Sequence, residues 1–335
     1  MNKNTKTLHI LNQFVWPDVA PTGIYAEQLA QAMHERGYQV CLVGGKGTYR
    51  SSLRPKPAVA PIYLDHFIGK RGNLYQEFKE YYSVKNAFAN YIKSQVQTGD
   101  VVIVTSAPPV TIALQAIIHK KKAVSIYWLQ DYYPELLGSI VPLPFAWLWF
   151  VSAFWNRSLK KWNHVIKISS NLGYQEHNSK VIRNWATLSF TDTLPPKERT
   201  ALYAGNLGYA HDVVAFIKLC KKLHNDGYTI SVRGDGIGMK RLPSWIQTGP
   251  SFQREEDLTE ACLSSEILLA AAHPKIRRAL FPSKIWNYLA AGRTVLTSGF
   301  SGKMAVELET IKQSDPYEGL QIWCDWLEEL LSIDL

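Results

Sequence analysis

The stretch from His273 to Arg293 holds the densest group of side chains able to do chemistry. Its cations are Lys275, Arg277, Arg278 and Lys284. Ser283 is a suitable N-cap and Gly292 a suitable C′ residue, so a short helix should begin at Lys284. The first turn of a helix has free N–H donors and a partial positive charge. The segment therefore predicts an anion site. A solvated basic loop before an amphipathic helix is the alternative.

Two strand-like runs of the second half end in glycine-rich turns. Gly205-Asn206-Leu207-Gly208 follows the run Ala201–Ala204, and Gly234-Asp235-Gly236 follows Tyr228–Val232. Backbone amides in such turns can approach a diphosphate, although a lone glycine cluster does not by itself identify a binding site. Neither turn fits G-x-G-x-x-G or the Walker pattern, which disfavours nucleotide hydrolysis of the P-loop kind.

The first half has two candidate segments of its own. Gln130 and Asp131 follow the run Ala123–Leu129, where side chains at the carboxyl edge of a parallel sheet point into a cleft. Asp131 can accept a proton there or orient a hydroxyl, and an N-cap role is the alternative. Pro21-Thr22-Gly23 opens a helix that Thr22 can cap. Its glycine lets a ligand approach backbone N–H groups, and a plain turn is the alternative.

Short apolar runs alternate with helical-period segments, which predicts an α/β fold with parallel sheets. The predicted strands are Leu8–Asn12, Gln39–Val43, Asp100–Thr105, Ala123–Leu129, His164–Ile168, Ala201–Ala204, Tyr228–Val232, Trp245–Gln247, Glu266–Ala270 and Thr294–Thr297. The predicted helices are Thr22–Arg36, Gln76–Gln97, Val110–Lys120, Phe145–Trp162, Asp212–Asp226, Arg254–Leu263 and Lys284–Ala291. The proline-containing segment Arg183–Thr200 reads as a linker. We therefore predict Rossmann-like domains at 1–185 and 186–335, with a cleft between them.

Composition and cysteine spacing exclude several classes of protein. The chain has 335 residues, of which 46% are hydrophobic and 19% charged, so disordered and collagen-like classes are excluded. Its four cysteines lie far apart, which argues against a zinc site or a disulfide framework and fits a cytoplasmic protein. There is no Asp-x-Asp pair to hold a metal-bound sugar nucleotide. The polar start leads straight into a strand, without a secretory segment.

The net charge of +9 is unevenly distributed. Residues 1–185 carry 21 Lys and Arg against 10 Asp and Glu, whereas residues 186–335 carry 16 against 18. A basic half suits a polyanion, and without nucleic-acid-binding motifs an anionic membrane is favoured over nucleic acid. Leu136–Trp155 has no charge, but prolines leave only Phe145–Trp155 as an apolar run. That run is too short to span a bilayer and predicts an interfacial helix, with a core helix as the alternative.

In their order along the chain, these motifs resemble those of family-4 glycosyltransferases of the two-domain GT-B fold, especially bacterial enzymes of surface polysaccharide synthesis. The matching segments are Pro21-Thr22-Gly23, Gln130 to Glu135, Val181 to Trp185, Tyr203 to Gly208, Gly234-Asp235-Gly236, and Phe281-Pro282-Ser283-Lys284 through Arg293. The resemblance covers nearly the whole chain.

The resemblance implies retaining transfer of a hexose-type sugar from a UDP- or GDP-linked donor, without a required metal or other cofactor. The donor diphosphate would lie at Gly205–Gly208 and Ser283-Lys284, with the ribose near Asn287. The acceptor, lipid-diphosphate-linked or a glycan, would enter between Pro21–Gly23 and Gln130-Asp131, and Asp131 would orient or deprotonate its hydroxyl. Lys284 and Asp131 are thus the expected catalytic residues. The enzyme would work on the inner face of the plasma membrane.

Two other functions remain open for the same fold. One is a nucleotide-sugar-binding or regulatory subunit without turnover, and the other is a GT-B sugar-nucleotide epimerase. Release of nucleotide in the presence of an acceptor would separate a transferase from a binding subunit.

Overall fold

The structure is a computed structural model that describes residues 6–45, 54–70, 73–140, 145–191, 194–276 and 278–333. Two parallel sheets form two lobes, each covered by helices on both faces. The first sheet has the strand order β3-β2-β1-β4-β5-β6-β7, and the second has β10-β9-β8-β11-β12. The predicted fold class, α/β with two Rossmann-like parallel sheets, is confirmed.

Buried apolar runs build the first, N-terminal lobe. Its strands are β1 Thr7–Leu11, β2 Gln39–Gly45, β3 Ile62–Leu64, β4 Val101–Thr105, β5 Val124–Leu129, β6 His164–Lys167 and β7 Ser179–Val181. Its helices are α1 Pro21–Glu35, α2 Leu74–Gln95, α3 Gln115–Lys120, α4 Tyr133–Ile140 and α5 Phe145–Leu159, with a 3-10 turn at Pro109–Leu114 before α3. Every residue of β4 and β5 is buried, as expected for central strands of a sheet covered on both faces.

The second, C-terminal lobe repeats the pattern with a smaller sheet. Its strands are β8 Lys197–Ala204, β9 Thr229–Arg233, β10 Gln247–Gly249, β11 Ser265–Ala271 and β12 Thr294–Ser298. The helices after β8 are α6 Val213–Asn225, α7 Glu255–Ser264, α8 Lys284–Ala290, α9 Lys303–Ile311 and α10 Glu318–Ser332, with 3-10 turns at Ile237–Arg241 and Pro274–Ile276. The predicted linker lies between the two sheets, although its last residues already belong to β8.

Two predicted helix starts need correction. Helix α1 has Ala20 as its N-cap and Pro21 as its first residue, so Thr22 lies inside the helix and the prediction that it caps α1 is wrong. Proline suits that place because a backbone N–H at the first helical position has no intrahelical partner, so none is lost when proline lacks that group. Ser283 occupies the N-cap position of α8 as predicted, but its side chain makes no capping bond. Gly292, the predicted C′ residue, has a positive φ, as does Gly37 after α1.

The last helix, α10, returns to the N-terminal lobe. Trp323 packs against Trp128 of β5 with a ring-centroid distance of 4.7 Å, and both indoles are fully buried. At the surface, Arg36 of α1 pairs with Asp325 and Glu328, each at 2.9 Å. The chain after the second sheet thus completes the core of the first lobe, although the predicted boundaries assign α10 to the second domain.

A buried carboxylate forms a second contact between the two lobes. Glu307 of α9 is 6% exposed and accepts hydrogen bonds from Ser169 Oγ and from the backbone N–H of Ser170, at 3.1 Å for the latter. Arg183 Nε lies 3.9 Å from the same carboxylate and has no hydrogen-bond partner. Because buried charges are costly unless paired, Glu307 is a structural contact between lobes.

We predict that Glu307→Ala destabilises the protein by about 3 kcal/mol, because it leaves the Ser169 hydroxyl and the Ser170 amide without their acceptor and removes the carboxylate nearest to Arg183. The measurement is chemical denaturation followed by tryptophan fluorescence. The control is Glu309→Ala on the same helix, which removes a surface pair with Lys312 and should cost about 0.5 kcal/mol or less. Equal losses in the two variants would contradict the structural role of Glu307.

Candidate active site

The carboxyl ends of the two sheets meet through backbone contacts. The turn after β5 contacts the loop before α8, where the Tyr132 N–H donates to the Ala279 carbonyl at 2.6 Å. Next to this contact, the Gly173 N–H donates to the Arg278 carbonyl at 3.1 Å. These bonds bring the turn that carries Asp131 and the basic loop before Lys284 to the same boundary between lobes.

In the C-terminal lobe, the two predicted glycine turns are locked together. The Gly205 N–H donates to the Arg233 carbonyl at 2.8 Å, and the Leu207 N–H donates to the Asp235 carbonyl at 2.7 Å. A Cβ at Gly234 would lie 2.1 Å from the Gly205 oxygen, and one at Gly236 would lie 2.6 Å from the Leu207 oxygen. Close packing of the two turns therefore accounts for Gly234 and Gly236, whereas Gly205–Gly208 forms the turn nearest to Lys284.

Lys284 projects from the first turn of α8 toward the Gly205 turn. Its Nζ lies 3.6 Å from the ring centroid of Tyr203, and a Cβ at Gly205 would be 2.9 Å from the same atom. The Nζ is buried and has no hydrogen-bond partner among the described residues. Burial lowers the pKa of Lys284 to about 7. An amine held in this way lacks the counter-charge that a phosphate would supply.

Tyr288 fixes α8 against the end of β8. Its hydroxyl accepts a hydrogen bond from the Ala204 N–H at 3.0 Å, and the ring is fully buried. The start of α8 therefore stands at the carboxyl end of a central strand, which is where open α/β sheets bind ligands.

Sequence reasoning did not select His211 as a site residue, yet it supports the same turn. Its Nδ1 accepts a hydrogen bond from the Gly208 N–H at 3.1 Å, and its ring stands edge-on to Tyr203. Burial, together with the neighbouring Lys284 amine, lowers the pKa of His211 to about 4. His211 is therefore a neutral acceptor that orders the turn. Its position three residues after Gly208 is the sequence feature that could have identified His211 as a site residue.

Across the boundary, Asp131 follows β5 directly. Its backbone N–H donates to Ser106 Oγ at 3.2 Å, which holds the turn against the end of β4. Burial raises the pKa of the Asp131 carboxyl to about 6. A carboxylate with this pKa is partly protonated near neutral pH and suits proton transfer to or from a bound hydroxyl.

Gln130 and Asn287 are engaged by protein atoms. Gln130 is buried and exchanges two side-chain hydrogen bonds with Asn184, at 3.0 and 3.4 Å. The Asn287 oxygen accepts from the backbone N–H groups of Thr187 and Leu188, at 2.7 and 3.1 Å. The first pair supports the turn after β5, and the second ties α8 to the linker. Both amides thus make contacts within the protein, and an acceptor contact for Gln130 and a ribose contact for Asn287 stay predictions.

The remaining predicted residues fall into four groups. Arg278 is exposed, and its guanidinium lies 3.5 Å from Glu135 of the other lobe. Gly23 packs against the Phe14 carbonyl, where an added Cβ would lie at 2.5 Å, while Pro21 is exposed beside it. Arg277 lies outside the described residues. Asn206 and Asp235 are exposed at the rim of the two glycine turns.

Among the residues that the structure describes, no group of three or more His, Cys, Asp and Glu side chains is arranged to hold a metal ion.

We predict that Lys284→Met stabilises the protein at pH 7. The pKa of an unfolded lysine is about 10.4, so between pH 7 and about 10 the unfolded chain holds a proton that the folded chain has released. Wild-type stability should therefore rise with pH across this window. The gain of the variant should reach about 4 kcal/mol at pH 7 as an upper bound, and shrink toward pH 10.

Denaturant unfolding at several pH values measures this difference. Lys221→Met, at an exposed position of α6, is the matched control and should show no comparable pH-dependent gain. A gain in Lys284→Met that stays constant over the same pH range would contradict the lowered pKa.

Comparison with known proteins establishes the fold. No protein-family model matches the chain, and no curated protein sequence matches it. Solved structures match at low identity over nearly its whole length. An α-glucosyltransferase in complex with UDP and DNA containing an HMU base has a TM-score of 0.57 and 10% identity, covering 98% of this chain and 100% of that one.

Two further matches bind nucleotides as well. The pneumococcal O-GlcNAc transferase GtfA, in complex with UDP and GlcNAc, has a TM-score of 0.54 and 10% identity, with coverage of 98% and 99%. The catalytic domain of starch synthase IV from Arabidopsis thaliana, bound to ADP and acarbose, has a TM-score of 0.56 and 11% identity, with coverage of 98% and 95%. The chain therefore has the GT-B fold, which it shares with these nucleotide-dependent glycosyltransferases.

Proposed function

We propose that the protein is a retaining glycosyltransferase that moves a sugar from a nucleotide diphosphate donor to an acceptor hydroxyl. The observation that carries this proposal is the buried Nζ of Lys284, which has no hydrogen-bond partner in the part of the chain that the structure describes and lies beside the Gly205 turn. The structural neighbours that contain UDP or ADP share the fold and support a nucleotide as the ligand.

The donor diphosphate, in this proposal, lies between the Gly205–Gly208 turn and the Nζ of Lys284. Bond breaking at the sugar leaves negative charge on the diphosphate, and a cation placed there stabilises the transition state more than the ground state. Lys284 then supplies charge that a metal supplies in other enzymes, so we propose that no metal is required. His211 keeps the turn in position, and Ser283 flanks the lysine at the helix start.

Asp131 is the proposed acceptor-side residue. Its carboxyl would orient the acceptor hydroxyl and take up its proton, with the exposed Pro21 and the adjacent Thr22 at the edge of the entry. We propose a lipid-diphosphate-linked or glycan acceptor of surface polysaccharide synthesis, because the basic N-terminal half suits an anionic membrane surface and an anionic lipid carrier. Asn287 is left out of the ribose site, because its amide holds the linker.

Lys284→Ala should weaken UDP binding by about 10- to 100-fold, because it removes a charge-assisted contact worth roughly 1.5–3 kcal/mol. Isothermal titration calorimetry with UDP, GDP and ADP measures the loss and shows which base is preferred. Lys275→Ala, an exposed cation in the loop before α8, is the control and should change affinity little. Unchanged affinity in Lys284→Ala would remove this lysine from the donor site.

The same titration, repeated at several pH values, tests whether Lys284 takes up a proton when the diphosphate binds. Above pH 7 the free lysine has lost its proton and must regain it as the diphosphate binds, so wild-type affinity should fall as pH rises. Lys284→Arg keeps its charge and should lack this fall over the same range. Parallel pH profiles for the two proteins would contradict the contact.

Asp131→Asn should lower kcat by about 10²- to 10⁴-fold while leaving UDP affinity unchanged, since it removes the base but no donor contact. In the wild type, kcat/KM should rise as pH increases through about 6, where the Asp131 carboxyl loses its proton. The assay measures nucleotide release in the presence of an acceptor, which is membrane extract, a glycan or duplex DNA. Near wild-type turnover in the variant would exclude Asp131 as the base.

A further inference from the structure

Helix α5 is apolar on its packed side and on its exposed side. Leu148, Trp155 and Leu159 lie on one side and are buried or half-buried. The other side carries four large rings that are 61–66% exposed, namely Trp147, Trp149, Phe150 and Phe154. A surface helix of a globular protein normally places polar residues on its outer side. Single exposed apolar side chains are common, but a cluster of this size marks an interaction surface.

The residues that flank this cluster are cationic. Arg157 lies on the exposed side of α5, and Lys160 and Lys161 follow the helix directly. From Phe145 to Lys161 the sequence has no acidic residue. Lys160 pairs with Glu176 at 2.9 Å, which leaves Arg157 and Lys161 as the exposed cations for an outside partner.

Helix α2 adds exposed aromatic residues to the same side of the lobe. Both α2 and α5 pack against the 3-10 turn at Pro109–Leu114, so they cover the same face of the first sheet. Tyr75, Phe78 and Tyr82 of α2 are exposed, and Lys85 lies over the Tyr82 ring at 5.0 Å. The face thus combines exposed rings with lysines, which is the composition that binds the headgroup layer of a bilayer.

No helix among the described residues is both long and apolar enough to cross a membrane. We propose that the exposed side of α5, extended by α2, inserts its aromatic rings into the surface of an anionic lipid bilayer. Trp147, Trp149, Phe150 and Phe154 enter the interface, while Arg157 and Lys161 contact the lipid phosphates. The cations favour a bilayer over a second copy of this chain as the partner. Two copies that met through this surface would bring Arg157 and Lys161 of both chains together, and these charges would repel each other.

The position of this face gives it a role at the cleft. Helix α4 begins two residues after Asp131, packs against α5, and contacts the 3-10 turn at Pro274–Ile276 of the other lobe. Insertion of α5 would therefore hold the acceptor side of the cleft against the bilayer. This role deepens the proposed function and rests on it, whereas lipid binding itself does not depend on transfer activity.

Flotation of the full chain with phosphatidylcholine vesicles, with or without one third phosphatidylglycerol, tests the inference. The wild type should float with the anionic vesicles and much less with the neutral ones. The double variant Phe150→Ser, Phe154→Ser should lose most of this binding, by about tenfold or more, because two rings no longer enter the interface. Val306→Ser with Ile322→Ser, two exposed apolar positions on α9 and α10, is the matched control and should float like the wild type.

Two further variants separate the contribution of the cations from that of the rings, and lipid binding from donor binding. Arg157→Gln with Lys161→Gln keeps the rings and should lose the preference for anionic vesicles. Lys284→Ala should float normally even though it binds the donor more weakly, so failure of the proposed transfer and failure of lipid binding can be told apart. Circular dichroism and a thermal scan establish that each variant is folded.

Three results would overturn the inference. One is wild-type protein that remains at the bottom of the gradient with both kinds of vesicle. Another is equal flotation of the wild type and the folded Phe150, Phe154 variant. The third is a wild-type dimer in solution that becomes monomeric in this variant and floats with neither kind of vesicle, which would assign the face to a second copy of the chain.

Discussion

The amine of Lys284, which has no counter-charge among the described residues, is the constraint that the surrounding C-terminal lobe must satisfy. Lys284 is held over the Tyr203 ring, next to a turn that Gly205 and His211 shape, and its Nζ has no hydrogen-bond acceptor within the described ranges. Burial of such a group costs free energy, which proteins tolerate where the group serves a ligand. The interlocked glycine turns fix the backbone, the neutral His211 adds no second charge, and Tyr288 anchors the helix that carries the lysine. The burial of this amine thus costs stability, and an anionic ligand is what we propose it serves.

Polar contacts join the two lobes. Asn287 binds the linker, Glu307 binds the end of the first sheet, and Arg278 pairs with Glu135. The carboxyl of Asp131 and the amine of Lys284 belong to different lobes, so their relative position depends on the bonds that join the lobes.

Much of this fold could be predicted from sequence because the central strands are continuous apolar runs. Strands β3 and β7 were missed, since each has three residues and a half-exposed edge position that leaves little apolar signal. The types of Lys284 and Asp131 indicated an anion site and a base, but burial of the amine depends on Tyr203, which lies on another element. The pairing of Gln130 with Asn184 was equally hidden, because the two residues are 54 positions apart and meet only in the folded chain.

Helix α10 has a consequence for how the polypeptide matures. The indole of Trp323 packs against Trp128 in the N-terminal lobe, although nearly the whole second lobe lies between them in sequence. During synthesis, the earlier lobe emerges from the ribosome with this part of its interior uncovered. Its packing is finished only after α10 has been made, so the order in which the chain is made differs from the order in which its two halves are completed.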